Sequence, residues 1–186
     1  AAVLHVLDEE GDGVFYRDGL RAWTFNAQGS LGEGGGSLKV KLPGAGTVEG
    51  FIGVGTKREA GFDEIGEVMG VDMKAVRKHL PEGEGFCVYY KWDVVKKSVT
   101  YFIGVKVDQT PGVLPDGMEL VTAPEMDVHA VRHHGPYRHL GNGWAGGMMH
   151  GRAKQFKHSK KFPPFEIYEK ESKGEDAVVK ICLPMK

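Results

Sequence analysis

The chain has 186 residues with 24 basic and 25 acidic side chains, a net charge of −1. That length suits one domain with an appendage, able to bury roughly 70% of its unfolded surface. The balanced charge argues against a protein that binds nucleic acid by neutralising phosphates, which needs a basic excess or stripe.

Residues 1–46 alternate short apolar runs with glycine-rich breaks. Strands are expected at Val3–Leu7, Val14–Tyr16 and Leu20–Phe25, with a tight turn at Gly11-Asp12-Gly13. The loop Gly32–Ser37 holds fragments of a phosphate-loop pattern but lacks the Gly-Lys-Ser/Thr ending, so it reads as a linker. This stretch is a β-rich extension or the remnant of a preceding domain.

From Thr47 the pattern becomes regular. Val48–Gly55 reads as a strand. Phe62, Ile65, Val68, Met69, Met73, Val76 and Leu80 then recur at helical steps up to Pro81, with Gly66 and Gly70 weakening the helix. Phe86–Trp92 and Val99–Val105 pair as a hairpin around Lys96-Lys97. After a connector at Pro111–Gly117 the order repeats: strand Met118–Val131 broken at Pro124, helix from Pro136, and strands at 165–169 and 177–183. The fold class is therefore α+β, with two tandem β-α-β-β repeats (about 47–108 and 118–186) forming an antiparallel sheet backed by two helices.

The chemistry-bearing residues concentrate late in the chain. Pro163-Pro164-Phe165-Glu166-Ile167-Tyr168 is a stiffened strand whose alternation puts Glu166 and Tyr168 on one face. Tyr90 and Trp92 share a face by the same rule, with Tyr89 opposite. Such aromatics hold flat or cationic ligands for about 0.5–2 kcal/mol each, and equally serve as hairpin core. Tyr137, Leu140, Trp144 and Met148 lie at helical spacing in a helix that also holds Gly141, Gly143, Gly146, Gly147 and Gly151. Each glycine costs such a helix about 1 kcal/mol, so close packing is expected there. The partner would be another backbone, or a second chain against the helix 136–155, making a homo-oligomer. Pro184 marks the final strand as an edge or near-edge strand.

Other classes find less support. Six histidines lie between His129 and His158, without metal-ligand spacing, and no metal or cofactor is expected. His134 is expected to support the Gly135-Pro136 turn. The basic run Arg152–Lys161 reads as a solvated helix end. No G-x-S-x-G or Cys-His nucleophile pattern occurs. Cys87 and Cys182 fall within strands, as buried thiols of a reducing compartment do, which points to the cytoplasm, or to an organelle if a transit peptide was removed. No run is long enough for a membrane helix, so no membrane partner is expected.

His133-His134-Gly135-Pro136-Tyr137, a Trp-bearing helix, Phe165-Glu166-Ile167-Tyr168 and Ile181-Cys182-Leu183-Pro184-Met185 occur in that order. In order and spacing they resemble the gyrase-inhibitor-like (GyrI-like) effector-binding domain, from about residue 47 to 186. That family occurs alone and behind the DNA-binding domains of multidrug-sensing regulators. The resemblance implies that Glu166 faces a cleft between the two repeats and pairs there with cationic, aromatic ligands, with Tyr168 beside it and Trp144 reaching the cleft. It also implies an alternative. Some members hydrolyse strained electrophiles, for which Glu166 would act as general base to a water and Tyr168 as its hydrogen-bond partner. A structural subunit packing through its glycine-rich helix is the third reading.

Overall fold

A computed structural model describes residues 45–137, 140–153, 155–172, 174 and 176–186, and five earlier strand segments. Those segments are β1 (Val3–Val6), β2 (Asp12–Arg17), β3 (Arg21–Phe25), β4 (Leu31–Glu33) and β5 (Leu38–Lys39). They form a sheet of their own in the order β1-β2-β3-β4, with β5 also on β2. Gly11 of the expected first turn and 34–37 of the glycine-rich loop lie outside the described residues.

Eight further strands form the main antiparallel sheet. They are β6 (Ala45–Val48), β7 (Phe51–Gly61), β8 (Gly85–Asp93), β9 (Ser98–Val107), β10 (Glu119–Ala123), β11 (Met126–His134), β12 (Phe165–Lys170) and β13 (Val178–Pro184). The order is β10-β7-β9-β8-β12-β13-β11-β6. Each β-α-β-β repeat therefore pairs its third strand with its first and second, and β8 and β12 join the repeats. The leading strands are exchanged: β6 precedes β7 but pairs with β11, and β10 precedes β11 but pairs with β7. The breaks fall at Glu49-Gly50 and at Pro124-Glu125, the second as Pro124 predicts. One expectation fails. β13 is an interior strand, because Pro184 occupies its last position, where its carbonyl still accepts from the Ser159 amide at 2.8 Å.

The described residues fall into two compact units. One holds Thr47–Val128, His158–Ile167 and Leu183–Lys186. Its helix α1 (Ile65–His79) runs unbroken through Gly66 and Gly70. Its inward stripe is Ile65, Val68, Met69, Asp72, Met73 and Val76, with Asp72 and Val76 fully buried. The Leu80 amide bonds back to the Val76 carbonyl, and Arg77 donates to the Pro81 and Gly83 carbonyls, which closes the C-terminal end. The sheet face toward α1 carries Val54, Ala60, Cys87, Tyr89, Val99, Tyr101, Ile103 and Val105, all buried. On the opposite face Phe86 lies edge-on to Phe51 at 5.0 Å and stacked on Phe102 at 5.8 Å. Two glycine positions make this packing fit. Gly55 and Gly104 are register partners on β7 and β9, and a Cβ on Gly104 would stand 2.3 Å from the Val54 carbonyl oxygen.

The other unit holds His129–Lys157 and Tyr168–Cys182, with N-terminal segments. Its helix α2 is Leu140–Ala153, and residues 138 and 139, between Tyr137 and this helix, lie outside the described residues. Gly143, Gly146, Gly147 and Gly151 are buried and Gly141 is exposed. A Cβ on Gly143 would meet Ile181 Cδ1 at 2.8 Å and His133 Cβ at 3.2 Å, so this glycine admits side chains of β13 and β11 rather than another backbone. The turn residue is also corrected: buried His133, through Nε2 at 3.3 Å from the Pro136 carbonyl, holds the turn, while His134 is exposed. Gly135 there adopts φ +121, which favours glycine. Both cysteines are buried, on β8 and β13, with β12 between these strands. Among the described residues no helix is long and apolar enough to cross a membrane.

Two substitutions separate crowded from open glycines. Gly104→Ala should lower stability by about 1–3 kcal/mol or more, because its neighbours are backbone atoms that cannot turn aside. Gly70→Ala in α1, with nothing within 4 Å, should raise stability by about 1 kcal/mol. Urea unfolding of both variants gives the comparison, and equal effects would refute the crowding assignment. Removing residues 1–44 leaves all eight strands of the main sheet, so the remainder should unfold cooperatively by circular dichroism. An insoluble or molten product would show that the N-terminal sheet completes a core.

Candidate ligand-binding site

Glu166 lies one residue into β12 and is 1% exposed. The preceding Pro164 fixes where it goes: its carbonyl accepts from the Tyr89 amide at 2.9 Å, which sets β12 against β8. The Tyr89 hydroxyl then donates to Glu166 Oε2, also at 2.9 Å, so backbone and side chain of one tyrosine hold the carboxylate. A buried carboxylate without such bonds costs several kcal/mol. Met69 of α1 places its sulfur 3.8 Å from the same hydroxyl.

Strand alternation misassigns β8. The pairing of β8 with β9 slips between Tyr89, opposite Tyr101, and Lys91, opposite Thr100, so Tyr90 is the extra residue of a bulge. Beyond it the faces exchange, and Trp92 comes round to Tyr89's side: the rings stack with centroids 5.4 Å apart at 23°. Phe62 tilts against Trp92 at 6.0 Å. Trp92 is 51% exposed and Phe62 37%, whereas Tyr89 is 5% exposed. An aromatic column thus runs from solvent at Trp92 and Phe62, through Tyr89, to the buried Glu166.

Tyr90, expected beside Trp92, lies on the other face with the Lys57 ammonium 4.5 Å from its ring centre. Burial, and then the charges of Glu119 and Cys87, push its phenol upward. Tyr137 and Tyr168 belong to the other unit, where their rings approach to 5.9 Å and the Ser172 amide donates to the Tyr137 hydroxyl at 3.4 Å. Trp144 is half-buried on α2. Of the six sequence candidates, Glu166 and Trp92 therefore share one aromatic column, and Tyr137 and Tyr168 make a separate pair.

A second buried carboxylate lies on the α1 side of the same sheet. Asp72 of α1 takes the Tyr101 hydroxyl on Oδ2 at 2.8 Å and Arg58 Nη2 on Oδ1 at 2.7 Å. Burial, and then the bond to Asp72, push the Tyr101 phenol well above the ordinary tyrosine range. Met69, Asp72, Arg58 and Tyr101 escape the sequence reading, whereas Tyr89 stands in it among the aromatic candidates, on the face opposite Tyr90 and Trp92. Asp72 carried a usable signal, an acid in the apolar stripe of α1, and the bulge after Tyr89 is what brings Trp92 to its face. Among the described residues no three His, Cys, Asp or Glu side chains gather to hold a metal ion.

No protein-family model and no curated protein matches the chain. Solved structures do. A cryo-EM structure of an EcmrR–DNA complex aligns at TM-score 0.60 and 14% identity, over 77% of this chain and 56% of that longer one. The EcmrR C-terminal domain aligns at TM-score 0.56 and 15% identity, over 77% of this chain and 96% of that domain. SAV2435 bound to tetraphenylphosphonium aligns at TM-score 0.55 and 16% identity, over 77% and 93% of the two chains. These are GyrI-like effector-binding domain folds, and the chain shares that fold.

Proposed function

We propose that the chain binds a small organic cation bearing aromatic rings, with Glu166 as counter-charge and Tyr89 and Trp92 as stacking surfaces. The observation that carries this reading is the buried carboxylate at the inner end of an aromatic column open to solvent at Trp92. A cation at Glu166 gains a charge-assisted contact in a poorly screened setting, and its rings gain cation–π and stacking contacts. Tetraphenylphosphonium, the compound bound to SAV2435, has this chemistry: one positive charge surrounded by four phenyl rings. Reaching Glu166 requires the Tyr89 side chain to turn, because the two groups now seal each other. Tyr168 follows two residues along β12, where its ring lies 5.9 Å from that of Tyr137.

The hydrolase alternative pairs Glu166 with Tyr168. The Tyr89 hydroxyl bonds Glu166, which is 1% exposed, and this holds the carboxylate in place rather than presenting it to a water. Binding is the reading this geometry favours.

Calorimetric titration with tetraphenylphosphonium gives the test. Glu166→Gln should weaken binding by about 1–3 kcal/mol, and Trp92→Ala by about 0.5–2 kcal/mol. Both variants should fold, since Gln is nearly isosteric and Trp92 is half-exposed. If the parent protein binds and Glu166→Gln binds equally well, the carboxylate is not the counter-charge.

A further inference from the structure

Arg58, Tyr101 and Tyr89 stand in one cross-strand row, since Arg58 is the register partner of Tyr101 on β7 and β9, and Tyr101 that of Tyr89 on β9 and β8. The two tyrosines do the same work. Each gives its hydroxyl to a buried carboxylate, Tyr89 to Glu166 of β12 and Tyr101 to Asp72 of α1. Met69, one turn before Asp72, lies against the Tyr89 hydroxyl, so a single helix spans both pairs. Arg58 distinguishes them. Its guanidinium takes the second Asp72 oxygen at 2.7 Å, and with the Arg58 side chain 49% exposed and that of Asp72 4% exposed, it lies between Asp72 and solvent.

We infer that Arg58 sets the charge preference of the site, shifting it away from doubly charged and toward singly charged aromatic cations. This rests on the reading of Glu166 as the counter-charge of the ligand. With Arg58 bound, Asp72 and Arg58 sum to zero, and this pair adds no net attraction for a ligand to that of Glu166. Without Arg58, two carboxylates on one sheet face under one helix would both act on the ligand, and screening is weak at such a partly buried place. Arginine suits the post because it stays charged at any working pH and cannot be neutralised by burial.

The experiment compares tetraphenylphosphonium, a monocation, with benzyl viologen, an aromatic dication, by calorimetry on the full chain. Arg58→Gln should shift the affinity ratio toward the dication by about tenfold, and Arg58→Lys should leave it near the parent value. Asp72→Asn keeps one acceptor oxygen where Tyr101 and Arg58 now use two, and leaves the Arg58 charge uncompensated, so it should weaken tetraphenylphosphonium binding several-fold. That variant decides the matter if Arg58→Gln does not fold. If tetraphenylphosphonium binding depends on Glu166, yet neither Arg58→Gln moves the ratio nor Asp72→Asn weakens the monocation, the inference is overturned and the binding reading stands. If tetraphenylphosphonium does not bind the parent, or binds independently of Glu166, both fall together.

Discussion

A carboxylate placed in the interior of a sheet governs the design of this site. Glu166 loses nearly all its water on folding, and the Tyr89 hydroxyl is a bond that folding gives back. That bond in turn demands that Tyr89 point toward α1, that Pro164 dock its carbonyl on the Tyr89 amide, and that Met69 leave the hydroxyl room. The same tyrosine then stacks on Trp92, which links the buried charge to the surface. The constraint thus reaches from one acidic side chain into two strands and a helix.

The bulge at Tyr90 is the backbone device that makes the column. With regular alternation, Tyr89 and Trp92 would lie on opposite faces, and the column would break between the buried and exposed rings. The extra residue brings both rings to one face and sends Tyr90 to the other, against Lys57. Bulges re-aim side chains in this way where ligands bind, at the cost of a local ladder hydrogen bond.

How much was legible in the sequence follows from these details. The two β-α-β-β repeats were legible, because the periods are regular and Pro81, Pro124 and the lysine turn punctuate them. The strand that carries Glu166 was legible from Pro163-Pro164 and the alternation after it. The exchange of β6 and β10 between repeats was not, since pairing depends on partners far apart in the chain, as Glu119 is from Gly55. Pro184 misled, because a proline at a strand's last residue leaves the ladder intact. That Tyr89 and Trp92 share a face was hidden by the bulge, and Arg58 lay beyond Gly55, where the expected strand ended. The glycines of α2 signalled close packing correctly at Gly143, but the neighbours are His133 and Ile181 side chains.

The central claim is that Glu166 and its aromatic column receive the ligand. A crystal structure of the chain with tetraphenylphosphonium tests it most directly. The account predicts the phosphonium on the Glu166 carboxylate, its phenyl rings against Tyr89 and Trp92, and the Tyr89 hydroxyl turned from its present bond. A ligand lodged elsewhere, with the Tyr89–Glu166 bond intact at 2.9 Å, would contradict it.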